Sequence, residues 1–329
     1  MKINLFSFFS GAGFLDLGFE KEGFFVSFVN EKHQPFLDAY KFSRGKLNID
    51  KPEFGYHQNS IEDFSEGKEK QNLKDKISET KNKGEIVGFV GGPPCPDFSV
   101  GGKNRGKDGN NGRLSEIYTK LIIDQEPDFF LFENVKGLWK TSKHREFYEK
   151  LKTSLKSKYN LTERLINAIE YGAPQDRERI ILLGFKNSVL NKDTIRFINK
   201  NPEKEFFSWL NYAEYPENAA FEYDWVETNP FEADSVRPKP QDIPAELTVE
   251  YWFQENDVEN HPNAEHYFQP RAGLAKFLTV PEGDSSKKSY KRLHRWRYSP
   301  TAAYGNNEVH LHPYKPRRIS ASEALAIQF

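Results

Sequence analysis

Residues 3–23 read INLFSFFSGAGFLDLGFEKEG, and the order of their parts decides the fold. Ile3–Phe9 is a compact, β-rich apolar run. Gly11-Ala12-Gly13 follows as a tight turn, and Phe14, Leu15 and Gly18 then fall at helical spacing before Gly23 stops the helix. Phe24–Val29 reads as the next strand and ends on Asn30-Glu31. A strand, a glycine turn and a helix in that order let backbone approach a ligand, and an acidic residue about 20 positions on can bind a ribose hydroxyl. Glu31 stands 20 residues after Gly11.

The alternation continues. Ile86–Val90, Phe129–Phe132 and Ile180–Phe185 are strand-like, with helical patterns at Leu114–Gln125 and Glu146–Lys156 between them. This predicts an α/β fold, a doubly wound, mostly parallel Rossmann-like sheet over residues 1–187. Beyond Lys186 the pattern breaks down. Prolines from Pro202 to Pro281 punctuate short aromatic segments, which predicts a second, smaller and irregular domain over 188–318. Residues 319–329 begin a helix, with Ser320 and Glu323 matching a capping box.

Composition excludes several classes. With 37% hydrophobic residues and a mean hydropathy of −0.77, the chain is no polytopic membrane protein, and 15% aromatics argue against disorder. The early apolar run is too short for a signal peptide. A single cysteine, Cys95, excludes a disulfide framework and a thiolate-rich zinc site, so no metal is expected. These features describe a soluble, cytoplasmic protein with no membrane partner. Its charge is unevenly spread: residues 214–259 hold 13 acidic and two basic side chains in a chain whose net charge is −1. The remainder is therefore strongly basic. Within it, KKSYKRLHRWR at 287–297 carries six Lys or Arg, no acid, and interleaved Tyr290 and Trp296. Such a run can follow a phosphate backbone, with Lys291, Arg292, Arg295 and Arg297 as candidate contacts; a solvated charged face is the plainer reading.

Four further segments carry chemistry. The glycine spacing, Gly-x-Gly with Gly18 further on, is not the compact dinucleotide fingerprint. A nucleoside ligand without a pyrophosphate, such as S-adenosylmethionine, fits it, as does a purely structural turn. GGPPCPDFS at 91–99 follows a strand directly, where ligands of such sheets bind. Cys95, held by prolines, is a candidate nucleophile there if nearby positive charge favours its thiolate; otherwise a lone cysteine is a small buried hydrophobe. The glycine-rich stretch 100–113, with Lys103 and Arg105, reads as a basic loop able to close over an anionic substrate. Glu133-Asn134-Val135 arrives at the same sheet edge, where a carboxyl can hydrogen-bond or protonate a ring nitrogen. Arg177 and Arg179 share one face of the extended segment QDRER, and both could point into the site.

Taken in order, FSGAG, PPCPDFS, ENV and QDRER resemble the cytosine-5 DNA methyltransferase family, whose bacterial members serve as modification methylases in restriction-modification systems. The resemblance covers 1–187, and RLHRWRYSPTAAYG with HPYKPRRISASEALAIQF resembles the stretch closing the family's small domain. The residues between carry no motif of this resemblance, and the family keeps its variable target-recognition domain there. The resemblance implies that Cys95 adds to C6 of a cytosine flipped out of double-stranded DNA, that Glu133 engages N3, and that Arg179 contacts O2 and helps hold the glutamate, with Arg177 in support. It implies S-adenosylmethionine as cofactor, held by Phe9, Gly11, Gly13, Glu31, Ser60, Ile61, Pro94 and Leu114. Ser99, Lys103, Arg105 and Gln175 join the basic run as expected DNA contacts. Two positions depart from the family: Ser7 stands where an Asp is common, and Ser60-Ile61 replaces an Asp-Ile pair, removing a carboxylate acceptor for the adenine amino group. The family also continues past this point into a segment that completes the cofactor pocket. A second polypeptide, or further residues, is the expectation that follows. A tRNA cytosine-5 methyltransferase is disfavoured, because its Cys-Phe-Thr triplet is absent. The other rival is a non-catalytic DNA-binding subunit.

Overall fold

The protein is described from a computed structural model over residues 1–94, 110–202, 204–270, 273–287, 289–301 and 310–328. Two compact units divide the chain: Met1–Leu165 with Arg179–Ser208, and Ile166–Glu178 with Trp209–Phe329.

The first unit is built on a seven-stranded sheet. In chain order its strands are β1 (Ile3–Phe8), β2 (Phe25–Asn30), β3 (Tyr56–His57), β4 (Ile86–Gly91), β5 (Phe129–Val135) and β6 (Asn160–Asn167); β7 (Gln175–Asp176) lies outside it, and β8 (Glu178–Phe185) completes it. The spatial order is β3-β2-β1-β4-β5-β8-β6. β1 pairs in parallel with both β2 and β4, and β4 with β5, while β8 runs antiparallel to β5. The sheet order reverses beside β1, which places a crevice beyond the carboxyl ends of β1 and β4. Helices α1 (Phe14–Lys21), α2 (Gln34–Lys46), α3 (Gly67–Asn82), α4 (Asn110–Gln125), α5 (Lys136–Lys140), α6 (Ser142–Lys156) and α7 (Lys192–Lys200) complete the unit.

Alternation within β1 explains its central place. Phe6 and Phe8 share one face and pack on Phe28 and Phe89, with ring centroids 5.5 Å apart for Phe6–Phe28 and 4.9 Å for Phe8–Phe89. Phe130 and Phe132 of β5 extend the same core. The expected strands are all present. The sequence reading missed α3 for a physical reason: it buries only Leu73, Ile77 and Thr80, too few to stand out among its lysines and glutamates.

The second unit has little sheet. Its ladder is β7 paired with β9 (Ser299–Pro300), and its helices are α8 (Val249–Glu255), α9 (Lys276–Thr279) and α10 (Ala321–Ala326). One cluster joins Val249, Phe253, Leu293, Ile319 and Ile327. The Ser320 hydroxyl accepts from the Glu323 N–H at 3.2 Å while the Glu323 carboxylate accepts from the Ser320 N–H at 2.8 Å, so the expected capping box forms. The domain boundaries shift, however. Residues 188–208 cluster with the first unit, residues 166–178 with the second, and the 319–329 segment packs Ala324, Ala326 and Ile327 into the second unit's own core.

Among the described residues no helix is long and apolar enough to cross a membrane, and no group of three or more His, Cys, Asp or Glu is placed to hold a metal ion.

Candidate active site

The carboxyl ends of β1, β2 and β4 open into a cavity of about 520 Å³, within the range of pockets that hold cofactors. Phe9, Gly11, Glu31, Ser60, Ile61, Pro94 and Leu114 all line it. Gly13 does not; it is the residue before α1, in the left-handed region at φ 88°. Phe9 is itself at φ 53°, an uncommon conformation for a bulky residue, held with its ring edge-on to Tyr118.

Glu31 is anchored before any ligand arrives. One carboxylate oxygen accepts from the Gly11 N–H at 2.9 Å and the other from the His33 N–H at 2.7 Å. Each oxygen keeps a free lone pair, the arrangement needed to accept from the two hydroxyls of a ribose. Asn30 ties this strand end to the facing loop by donating to the carbonyls of His57 and Asn59.

The wall built from residues 59–62 places Ser60 and a neighbouring carboxylate. Ser60 caps a short 3-10 helix, Ile61–Phe64, and its N–H donates to the Asp63 carboxylate at 3.0 Å. The wall nevertheless carries a carboxylate, that of Glu62, which lines the cavity and pairs with Arg113 at 2.9 Å. Arg113 was read from the sequence only as part of the basic stretch 100–113 and Asn30 only as a strand end, while Glu62, Asn59, Lys32 and Phe36 were not singled out. Asn30 and Lys32, which flank Glu31, were the legible part of that set.

Gly92 connects this cavity to a second group of residues. It lines the pocket, and a Cβ added there would lie 2.7 Å from Glu133 Oε2. Glu133 and Arg179 come from the antiparallel pair β5 and β8, where Glu133 faces Ile181 and Val135 faces Arg179. They are thus diagonal neighbours on one face, within reach of long side chains. Arg179 Nε meets Glu133 Oε1 at 2.8 Å, in a part-buried ion pair. Asn134, buried beside them, accepts from the Val135 N–H and donates to the Pro93 carbonyl. A carboxyl group braced by arginine, next to a nucleoside-sized cavity, can accept from a ring N–H of a flat heterocycle or, protonated, donate to a bare ring nitrogen.

Other expected site residues fare differently. Cys95, Ser99, Lys103 and Arg105 lie outside the described residues. Arg177 stands between β7 and β8, in the second unit. Its N–H donates to the Asn167 side chain at 2.8 Å and its carbonyl accepts from the Ala168 N–H. Gln175 is buried rather than presented to a duplex, with its amide donating to the Ile327 carbonyl at 3.1 Å.

The basic run is corrected most strongly. Arg292 is wholly buried, donating to the carbonyls of Val280, Phe277, His312 and Lys315 and lying over the Phe231 ring. Burial pulls its guanidinium down to about 10. Arg295 is buried against Glu282 at 2.8 Å. Neither is available to phosphates, because each satisfies acceptors inside its own unit. Lys291 and Arg297 stay part-exposed, and Lys287 is exposed.

A strand–glycine turn–helix start, an anchored carboxylate at the end of the second strand and a pocket beyond the parallel strands together define a Rossmann-like, S-adenosylmethionine-dependent methyltransferase fold. The chain belongs to the C-5 cytosine-specific DNA methylase family, which it matches over residues 3–329. It is 57% identical over 328 residues to the type II methyltransferase M.NmeDI of Neisseria meningitidis serogroup C, covering 99% of this chain and 74% of that protein. It is 34% identical over 203 residues to M.FnuDI of Fusobacterium nucleatum, covering 62% of this chain and 52% of that one. Among solved structures, a prophage-encoded E. coli protein shares the fold with a TM-score of 0.59 at 21% identity, over 99% of this chain and 88% of the other. The Entamoeba histolytica methyltransferase EhMeth does so at 0.51 and 13%, over 99% and 81%. These findings make the chain a C-5 cytosine DNA methyltransferase of the type II modification kind.

Proposed function

We propose that this chain methylates C5 of a cytosine flipped out of double-stranded DNA, as the modification partner in a restriction-modification system. The carrying observation is the juxtaposition at Gly92, where the cavity lined by Glu31 and the Glu133–Arg179 pair meet. S-adenosylmethionine would supply an electrophilic methyl group. The residues around the cavity fit its parts: the anchored Glu31 carboxylate for the ribose hydroxyls, the glycine turn for close backbone approach, and Phe9, Ile61, Pro94 and Leu114 for the apolar faces.

Carbon 5 of cytosine is a poor nucleophile. In this reading the Cys95 thiolate adds to C6, which gives C5 enamine character. Glu133, as the protonated acid, donates to N3 and passes its proton there as the thiolate adds, which neutralises the charge that builds on the ring, while Arg179 fixes the glutamate's orientation and reaches the base O2. After methylation, loss of the C5 proton returns its electron pair to the C5–C6 bond and the C6–S bond breaks. A base inside a duplex stack presents neither face to these groups, so flipping, at a few kcal/mol, precedes them.

Incubation with tritiated S-adenosylmethionine and varied duplexes, followed by bisulfite sequencing, should label one cytosine within a defined site. A 5-fluorocytosine duplex should trap the wild type covalently, since fluorine cannot leave as a proton. An adduct formed equally well by Cys95→Ser would overturn the assignment of the nucleophile, and label on adenine or on cytosine N4 would overturn the reaction.

A further inference from the structure

Beneath the glycine turn lies a buried polar group that the reaction above does not use. Asp16, from α1, is 1% exposed, and its carboxylate accepts from Ser7 Oγ at 2.8 Å and from the Tyr40 hydroxyl at 2.8 Å. Arg44, 2% exposed and one helical turn along α2 from Tyr40, donates to the Gly13 carbonyl at 2.7 Å and pairs with Glu20 at 2.8 Å. Its guanidinium stacks over the Tyr40 ring, 4.2 Å from the centroid. Both side chains press on the turn: a Cβ at Gly13 would lie 2.6 Å from the Tyr40 ring and 2.8 Å from Arg44 Nη1.

Such an assembly is costly to bury. A tyrosine hydroxyl, an arginine and a carboxyl have been taken out of water beside a core built mainly of aromatic and aliphatic side chains. An apolar side chain could fill the space but could not grip the Gly13 carbonyl. The other end of the same turn offers the Gly11 N–H to Glu31 inside the cavity. Two neighbouring residues of α2 thus fix one end of the turn while the ligand-facing carboxylate fixes the other.

We propose that Tyr40 and Arg44 are positioning residues for the cofactor, holding the Gly11–Gly13 turn from below so that it meets the ligand already in its binding conformation. The inference rests on reading the cavity as the S-adenosylmethionine site. A turn held rigid before binding loses less conformational freedom on binding, so the effect belongs to cofactor affinity. It should not reach the chemical step, because neither residue lines the cavity.

The test is calorimetric titration of S-adenosylmethionine into the full chain, alongside steady-state kinetics. Tyr40→Phe keeps the ring against Gly13 and removes only the hydroxyl bonded to Asp16. Arg44→Lys keeps the charge beside Glu20 but cannot stack a planar guanidinium on Tyr40 while its Nη2 serves both the Gly13 carbonyl and Glu20. Each should raise the cofactor Kd about tenfold while kcat at saturating cofactor and KM for DNA stay within twofold, a split that general destabilisation would not produce. Glu31→Ala is titrated in parallel. If Glu31→Ala binds weakly and both α2 variants bind like wild type, the positioning role is overturned while the cavity assignment survives. Normal binding by Glu31→Ala would overturn the cavity assignment and this inference with it. A loss confined to kcat in the α2 variants would also overturn it, by placing these residues in catalysis.

Discussion

Among the described residues, the eleven largest fully buried side chains are ten Phe and Tyr of the first unit and one residue of the second, Arg292. The first unit condenses phenylalanines on a twisted sheet whose backbone satisfies itself. The second has a two-residue ladder and isolated bridges, so many carbonyls lack strand partners. Buried guanidinium groups supply the donors instead: Arg292 to four carbonyls, and Arg295 to Glu282 and Ser235. An irregular segment can stay irregular and still be specific if charged side chains take over the hydrogen bonding that a sheet would provide.

The largest expected effect tests that exchange. Arg292→Met preserves volume and removes the donors to four carbonyls, each costing about 1–3 kcal/mol when buried and unpaired. A loss above about 4 kcal/mol is expected in urea unfolding followed by tryptophan fluorescence. Four of the five tryptophans, Trp209, Trp225, Trp252 and Trp296, report on the second unit. Phe130→Leu in the first unit, a loss of about 1–2 kcal/mol at roughly 0.8 kcal/mol per buried CH₂, is the reference. Equal losses would erase the distinction between the units.

Acid should separate the units next. Burial depresses His294, His310 and His312, each to about 4 from 6.5. Depressed folded values mean that the unfolded chain takes up protons first, so their stability is present above pH 6.5 and lost as pH falls toward 4. Each can withdraw up to roughly 3 kcal/mol from the second unit. Asp16 works the other way. Burial raises it from 3.8 to about 6, so its favourable contribution is complete below pH 3.8 and lost as pH rises through 6. From pH 6.5 to 4.5 the tryptophan-reported transition should move to lower urea while the first unit, followed by cofactor protection, moves less. Parallel shifts would break the comparison.

A smaller change probes the Glu133–Arg179 pair at the first unit's working edge. Gly92→Ala puts a methyl 2.7 Å from Glu133 Oε2, so the carboxylate must shift from the position in which its other oxygen pairs with Arg179. Turnover should fall about 10- to 100-fold, or 1.4–2.8 kcal/mol at 1.36 kcal/mol per decade, with little loss of stability. Unchanged turnover would mean that the pair tolerates displacement, and its proposed role in holding N3 would fail.

The same contrast governs what is legible in the sequence alone. The sheet was legible because β-rich runs such as Ile3–Phe9 and Phe129–Phe132 stand between turn residues, and because Glu31 sits where a second strand must end. The Glu133–Arg179 pair was expected from the family resemblance, although its diagonal geometry needed the antiparallel register of β5 and β8. The basic run misled because a cation that will bond carbonyls and one that will meet phosphates look identical in sequence. Arg292 and Lys287 differ only in what folds around them. Glu62 escaped notice for a related reason: it belongs to the pocket only because Ser60 caps the short helix that carries it.

The smallest prediction follows from that sorting of the basic run. With Arg292 and Arg295 committed to the interior, phosphate contacts from the described part of 287–297 fall to Lys287, Lys291 and Arg297. A single phosphate contact contributes about 0.9 to the slope of log K against log salt. Lys287→Ala should therefore shallow the slope by at most about 0.9 and weaken binding modestly and equally across duplex sequences. The folded state should be indifferent, since the Lys287 side chain is exposed. The two classes of basic residue then make opposite signatures: Arg292→Met changes stability, and Lys287→Ala changes only salt dependence. A slope unchanged in Lys287→Ala, measured by fluorescence anisotropy from 50 to 200 mM salt, would remove Lys287 from the phosphate contacts and leave only Lys291 and Arg297 of this segment to make them.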